Sequence, residues 1–224
     1  MAAVIEIKNM YKSFKGRNLY NDINLEIQHG ECVGFVGHNG VGKSVLFQLM
    51  VGLLPVDKGQ VKVFGEPVGG KEGKFPSNVG IFINSPGYID FYSGFKNLKL
   101  LAEINSTIND SAIKNIMELV GLDPTSKVPV KKYSSGMKQK LGIAQAIMED
   151  QQLIILDEPY NALDFQTNKD ITNVLSQLVS QGKTLLLTSH QHEYLEKLCN
   201  KVYFVNNATI VPLDDTIKQQ YFSI

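Results

Sequence analysis

Residues 37–44 read GHNGVGKS, a match to the spacing G-x-x-x-x-G-K-[ST]. Glycines at those positions let consecutive backbone N–H groups curl around a phosphate. The lysine can pair with β- and γ-phosphate oxygens, and the neighbouring hydroxyl can join a Mg²⁺ shell. Gly37, His38, Asn39, Gly40, Val41, Gly42, Lys43 and Ser44 are therefore candidate phosphate-loop residues, with Ser44 also a metal ligand. A glycine turn that binds nothing is the plain alternative. Further along, Leu153, Ile154, Ile155 and Leu156 run into Asp157, Glu158 and Pro159. Two carboxylates at the carboxyl end of a buried strand stand where open α/β sheets bind ligands. Asp157 is suited to hold Mg²⁺, directly or through water, and Glu158 to polarise an attacking water. A solvated strand exit would require no chemistry from either.

These residues need a strand before the loop, a helix after it, and a second buried strand of the same sheet. Glu31–Gly37 is a short apolar run with glycines, and residues 44–52 carry Val45, Leu46, Leu49 and Met50 on one helical stripe. The first 30 residues alternate in period 2 at Val4, Ile5, Ile7, Ile23, Leu25 and Ile27, as strands do. Short strands are expected near 61–64 and 79–83. From residue 86 to 149 helical spacing takes over, at 97–104, 110–120 and 137–148. The strand–helix rhythm then resumes with strands at 153–156 and 184–188, helices at 167–180 and 192–199, and a hairpin at 202–211 around Asn206 and Asn207. Alternating βα units at both ends of a helical insert imply an α/β fold with a parallel-rich sheet. No repeat or low-complexity segment interrupts it.

In this order the motifs resemble the ATP-binding cassette family across essentially the whole chain. YSSGMKQ at 133–139 is similar to the family's signature sequence, NALD at 161–164 to its D-loop, and Thr188-Ser189-His190 ends on its switch histidine. Phe14 falls where the family stacks an aromatic ring on adenine. Three positions depart from the pattern. Asn84 stands for a glutamine that reaches Mg²⁺ and couples the site to a membrane partner, Ser135 for the first signature glycine, and Asn161 for the D-loop serine. With Pro86, Gly87 and Tyr88 following Asn84, the variant is most similar to bacterial antibiotic-resistance and peptide-export cassettes.

The resemblance implies a single P-loop NTPase domain over 1–224. Residues 1–85 and 150–224 would form the nucleotide-binding core with an N-terminal antiparallel β subdomain, and 86–149 an inserted α-helical subdomain bearing the signature. It implies an ATPase that binds ATP with Mg²⁺ in a head-to-tail homodimer. Lys43, Glu158 and His190 would be catalytic, and Phe14, Asn84, Ser134, Ser135, Gly136 and Asp164 would complete the nucleotide site. Ser44, Asp157 and Asn84 would face the metal. A separate integral-membrane permease would dock near residues 84–100 and be driven, in the export direction, from the cytoplasmic face of the membrane. A non-transport cassette switching a macromolecular partner, and a nucleotide-gated module with little hydrolysis, are the competing readings. Plainer roles exist too: Ser134 as a helix cap, His190 as a packed histidine, Phe14 as a core cover.

Composition narrows the rest. With 22 basic and 22 acidic side chains the formal charge is zero, which argues against a binder that works by neutralising many nucleic-acid phosphates. Two cysteines, Cys32 and Cys199, form no disulfide framework or metal cluster and are expected to be small buried residues in a reducing compartment. His29, His38 and His192 lack metal spacing, and Lys71, Glu72 and Lys74 suit a solvated loop. The start carries Glu6 and no basic segment before an apolar run, so no secretory signal is expected, and no apolar stretch is long enough to span a bilayer. No regulatory domain is expected after the last hairpin.

Overall fold

The computed structural model describes residues 3–14, 16–69, 75–84, 87–161 and 163–222. The expectations for Pro86, Ala162, Lys71, Glu72 and Lys74 lie outside them. The chain begins with β1 (Ala3–Phe14) and β2 (Arg17–Gln28), long antiparallel strands. After β3 (Cys32–Val36) and α1 (Lys43–Met50), β4 (Lys58–Val63) and the short β5 (Glu66–Pro67) join them in an antiparallel sheet of order β2-β1-β4-β5. Next come β6 (Val79–Phe82), α2 (Gly94–Asn105), α3 (Asp110–Leu119), a 3₁₀ turn (Val130–Lys132) and α4 (Ser135–Ile147). The last third alternates β7 (Leu153–Leu156), α5 (Phe165–Ser180), β8 (Thr184–Ser189) and α6 (His192–Glu196). It closes with β9 (Lys201–Asn206), β10 (Thr209–Pro212) and α7 (Asp215–Tyr221).

The second sheet has the order β10-β9-β3-β8-β7-β6, parallel throughout except for the β9–β10 hairpin at its edge. Its central strands are buried on both faces, and their alternating side chains divide between two cores. Val33, Phe35, Leu153, Ile155 and Leu186 join α1 and the antiparallel sheet. Cys32, Val36, Ile154, Leu156, Leu185 and Leu187 join the helices on the other side. Each fully buried Leu or Ile adds about 1.5–3 kcal/mol relative to exposure, so the sheet is the rigid frame of the molecule.

The helical segment is fastened to this frame by close backbone approach. A Cβ at Gly80 of β6 would fall 1.7 Å from the carbonyl oxygen of Ala146 in α4, and one at Gly142 would strike the Phe82 ring at 2.6 Å. Only glycine permits that contact, and it ties α4 to the strand that leads into Asn84.

Several boundaries differ from the sequence expectation. The first helix starts at Lys43 and ends at Met50, rather than covering 44–52. The helix after the second acidic strand starts at Phe165 because Asp164 caps it. The one after His190 stops at Glu196 instead of reaching Cys199. Helix α7 follows the hairpin and was not anticipated. Cys199 is only partly buried, and its sulfur lies 3.4 Å from that of Cys32, so the two thiols form a contact pair rather than two separate packed residues.

Candidate functional site

The phosphate loop leaves the carboxyl end of β3 and enters α1 without a side-chain cap, so the first N–H groups of the helix face outward from the sheet edge. Gly42 has φ 119°, a conformation available to glycine but strained for other residues. Its carbonyl oxygen accepts a 2.9 Å hydrogen bond from the buried phenol of Tyr20 in β2. Burial pushes that phenol well above its ordinary pKa, so it remains a donor. Tyr20 therefore braces the loop from the antiparallel sheet, a role that no local sequence signal marked.

Lys43 is buried, and its Nζ donates to the carbonyl oxygens of Gly37 at 2.7 Å and His38 at 3.4 Å. The same ammonium lies 3.2 Å from Oε1 of Glu158. That oxygen has no directed hydrogen bond, so charge rather than geometry holds the pair. The other oxygen, Oε2, is 3.0 Å from Nδ1 of His190. The structure thus brings Lys43 at the start of α1, Glu158 after β7 and His190 after β8 into one contiguous run. Glu158 itself has φ 49°, and its N–H donates to Thr188 Oγ1 at 2.7 Å, which fixes this turned backbone.

Asp157 is buried at the end of β7. Its N–H extends the ladder by donating to the Phe82 carbonyl at 2.7 Å, and its Oδ1 accepts from Thr188 Oγ1 at 2.6 Å. Thr188 thereby orients both acidic residues with one hydroxyl, a second residue that sequence reading did not single out. That bond orients the carboxylate at the strand end and leaves it lone pairs for a cation. One carboxylate and the Ser44 hydroxyl are a donor set that Mg²⁺ accepts when phosphate oxygens and water fill the remaining positions, so these residues fit that ion. Among the described residues no cluster of three His, Cys, Asp or Glu side chains offers an all-protein metal site. Asn84 follows β6 with φ 59° and is exposed.

The signature segment reaches the acidic turn through Gln139, whose Nε2 donates to the Glu158 carbonyl at 3.1 Å. Ser134 is the N-cap of α4, its Oγ accepting from Met137 N at 3.2 Å, and Ser134 and Ser135 are exposed. Gly136 faces the start of α5, where an added Cβ would approach Thr167 at 3.2 Å. Asp164 caps α5 and accepts from both the backbone N–H and the hydroxyl of Thr167, at 2.9 and 2.8 Å. Those bonds hold its carboxyl below the usual carboxylate range. In this chain Asp164 thus acts on its own helix. Phe14 ends β1 and is 42% exposed, with Lys12 Nζ over its ring at 5.1 Å from the centre.

A strand–loop–helix phosphate site after β3, with an acidic pair at the end of β7 on the far side of β8, defines a P-loop nucleotide hydrolase. Residues 20–161 match the family described as ABC transporter, so the chain belongs to that family, whose ATP-binding cassettes are ATPases. It is 33% identical to the uncharacterized ABC transporter ATP-binding protein YhcH of Bacillus subtilis, over 96% of this chain and 71% of the relative. It is 34% identical to the bacitracin transport ATP-binding protein BcrA of Enterococcus faecalis, over 94% of this chain and 69% of that one. Its fold matches the ATP-binding cassette of an ABC transporter crystallised in its ADP conformation, with a TM-score of 0.82 over 98% of this chain and 94% of the other at 20% identity. The chain is the ATP-binding subunit of such a transporter. Among the described residues no helix is long and apolar enough to cross a membrane.

Proposed function

We propose that this subunit hydrolyses Mg-ATP between two copies of itself arranged head to tail, and that the resulting closure drives export through a separate membrane permease. The observation that supports it best is the run Lys43–Glu158–His190, in which a phosphate cation, a carboxylate and an imidazole already touch.

In this mechanism the loop N–H groups and Lys43 bind the β- and γ-phosphates, and Phe14 stacks on the adenine. Engaging the phosphate draws Lys43 away from Oε1 of Glu158, which leaves that carboxylate oxygen facing the reacting water. Glu158 accepts the water's proton as the oxygen attacks the γ-phosphorus and the bond to ADP breaks. His190, held on Oε2, faces the same phosphate group. Ser44 and Asp157 would hold Mg²⁺, which would supply neutralisation of phosphate charge. Ser134 caps a helix whose outward N-terminus favours an anion, which suits the γ-phosphate on the other copy's loop.

Coupling to the permease would run through the face at 84–100. There Ile89 and Phe91 are exposed, Phe91 at 70%, and Phe91 packs edge-on against Tyr92 at 4.7 Å. The close seat of α4 on β6 joins this face to both Asn84 and the signature helix. The bacitracin transport relative and the signature variant both support a role in antibiotic or peptide export. Placement is then peripheral, on the cytoplasmic side of the membrane.

Purifying a tagged chain from detergent-solubilised membranes tests this reading. A polytopic membrane protein in stoichiometric yield, lost when Phe91 is changed to Asp, is the expected result. Recovery of the chain with ribosomes or nucleic acid instead would contradict it.

A further inference from the structure

Helix α7 ends on two aromatic residues that pack on the phosphate loop, and one of them, Phe222, also reaches α6. Phe222 stacks on His38 of the phosphate loop, with ring centres 6.2 Å apart and planes at 21°, and Tyr221 meets the same imidazole at 6.3 Å. Phe222 also meets His192, the first residue of α6, edge-on at 5.1 Å. Both rings rest on Phe204, at 4.8 Å for Tyr221 and 5.7 Å for Phe222. Phe204 in turn is registered to Val36, the residue before the loop. Lys218 of α7 pairs with Glu196 at the far end of α6, and Glu196 accepts His192 at 3.2 Å. Finally, Phe222, His190 and His192 line one cavity of about 640 Å³.

We propose that Phe222, with Tyr221 beside it, is a positioning residue for ATP turnover. It ties His38 to α6 and so keeps the phosphate loop and the switch histidine in register. The inference rests on the proposed reading of the site. The two sides depend on the tie unequally. The loop is anchored by β3, by α1 and by Tyr20 through Gly42. Helix α6 is held to the sheet by Leu195, fully buried against Gly34 of β3, and by Tyr194 stacked on Tyr160. Its first turn, two residues after His190, has no side-chain cap and meets Phe222 through His192. Loss of the ring should therefore misplace His190 more than it disturbs ATP binding. Aromatic contact of this kind is set by ring geometry, so another ring of similar shape should serve.

The test compares Phe222→Ala with Phe222→Tyr in the full chain. It follows kcat and KM for ATP, the melting temperature, and hydrogen–deuterium exchange of amides 191–196. Phe222→Ala should lower kcat about three- to tenfold while KM stays within about twofold, since small misplacements act on the chemical step. Exchange at 191–196 should quicken, the melting temperature should hold, and Phe222→Tyr should restore kcat and protection together. Unchanged kcat and exchange in Phe222→Ala overturn the inference. So does a parallel loss of kcat, KM and melting temperature that Phe222→Tyr fails to mend, because that marks a merely structural role. An inactive wild-type chain would overturn the reading of the site and this inference with it. An active wild type with an indifferent Phe222→Ala overturns the inference alone.

Discussion

Glu158 and His190 are joined through Oε2 and Nδ1 at 3.0 Å, while the other carboxylate oxygen faces Lys43 at 3.2 Å. The carboxylate is therefore shared between the Lys43 ammonium and the histidine that follows β8. Binding of a nucleotide that claims Lys43 must change what Glu158 touches, so phosphate engagement and readiness for proton transfer are linked through one side chain.

Glu158→Gln removes the proton acceptor but retains the shape and a partner for His190. Hydrolysis should fall about 10²- to 10⁴-fold, the usual contribution of a general base, with ATP affinity near the wild-type value. Single-turnover hydrolysis alongside equilibrium nucleotide binding distinguishes the two quantities. Wild-type turnover would assign the water to another group.

Lys43→Ala removes a charge-assisted contact to phosphate, for which a loss of about ten- to a hundredfold in ATP affinity is expected. Titration with a fluorescent ATP analogue measures it. Undiminished affinity would remove Lys43 from the site.

Thr188→Val keeps the volume of a fully buried side chain but deletes the hydroxyl that serves Asp157 and the Glu158 N–H. Leaving a buried N–H and a carboxylate oxygen without their partner should cost about 1–3 kcal/mol. Denaturant unfolding reads that loss, and hydrolysis should fall with ATP affinity less affected. A variant as stable and as active as wild type would show that the acidic turn is held by other contacts.

Tyr20→Phe tests the brace under the phosphate loop. Deleting one neutral hydrogen bond to Gly42 is worth about 0.5–1.5 kcal/mol, and the effect should appear partly as weaker ATP binding because the accepting carbonyl lies within the loop. Isothermal titration is the measurement. Lost stability with unchanged affinity would confine Tyr20 to the core.

Residues that act as consecutive motifs were legible in the sequence, because GHNGVGKS and the acidic strand exit carry their chemistry in local spacing. The central strands were equally plain, since burial on both faces leaves continuous apolar runs at 153–156 and 184–188. What escaped depends on contacts between distant residues. Tyr20 reaches Gly42 from another sheet, and Cys32 meets Cys199 only once β3 and the segment after α6 are packed together. Thr188 lies two residues before His190 in the sequence, but its bonds to the acidic pair exist only after β7 and β8 align. Helix α7 has no fully buried residue, so it shows little apolar periodicity despite the Asp214 cap at its start. Asp164 was legible as part of a motif, whereas its local work as the cap of α5 shifted that helix's start to Phe165.

The central claim is that each ATP is shared between two copies, and mixing two disabled variants tests it most directly. Lys43→Ala removes the phosphate cation, and Ser134→Arg fills the outward N-terminus of α4 with a bulky side chain. Each variant alone damages both composite sites of its own dimer. In a mixed head-to-tail dimer both lesions fall on one site, and the other combines an intact loop with an intact signature. Mixing under conditions of confirmed subunit exchange should therefore restore part of the ATPase activity, or ATP-dependent dimerisation where turnover needs both sites. Recovery of neither, with exchange verified, would contradict the shared site.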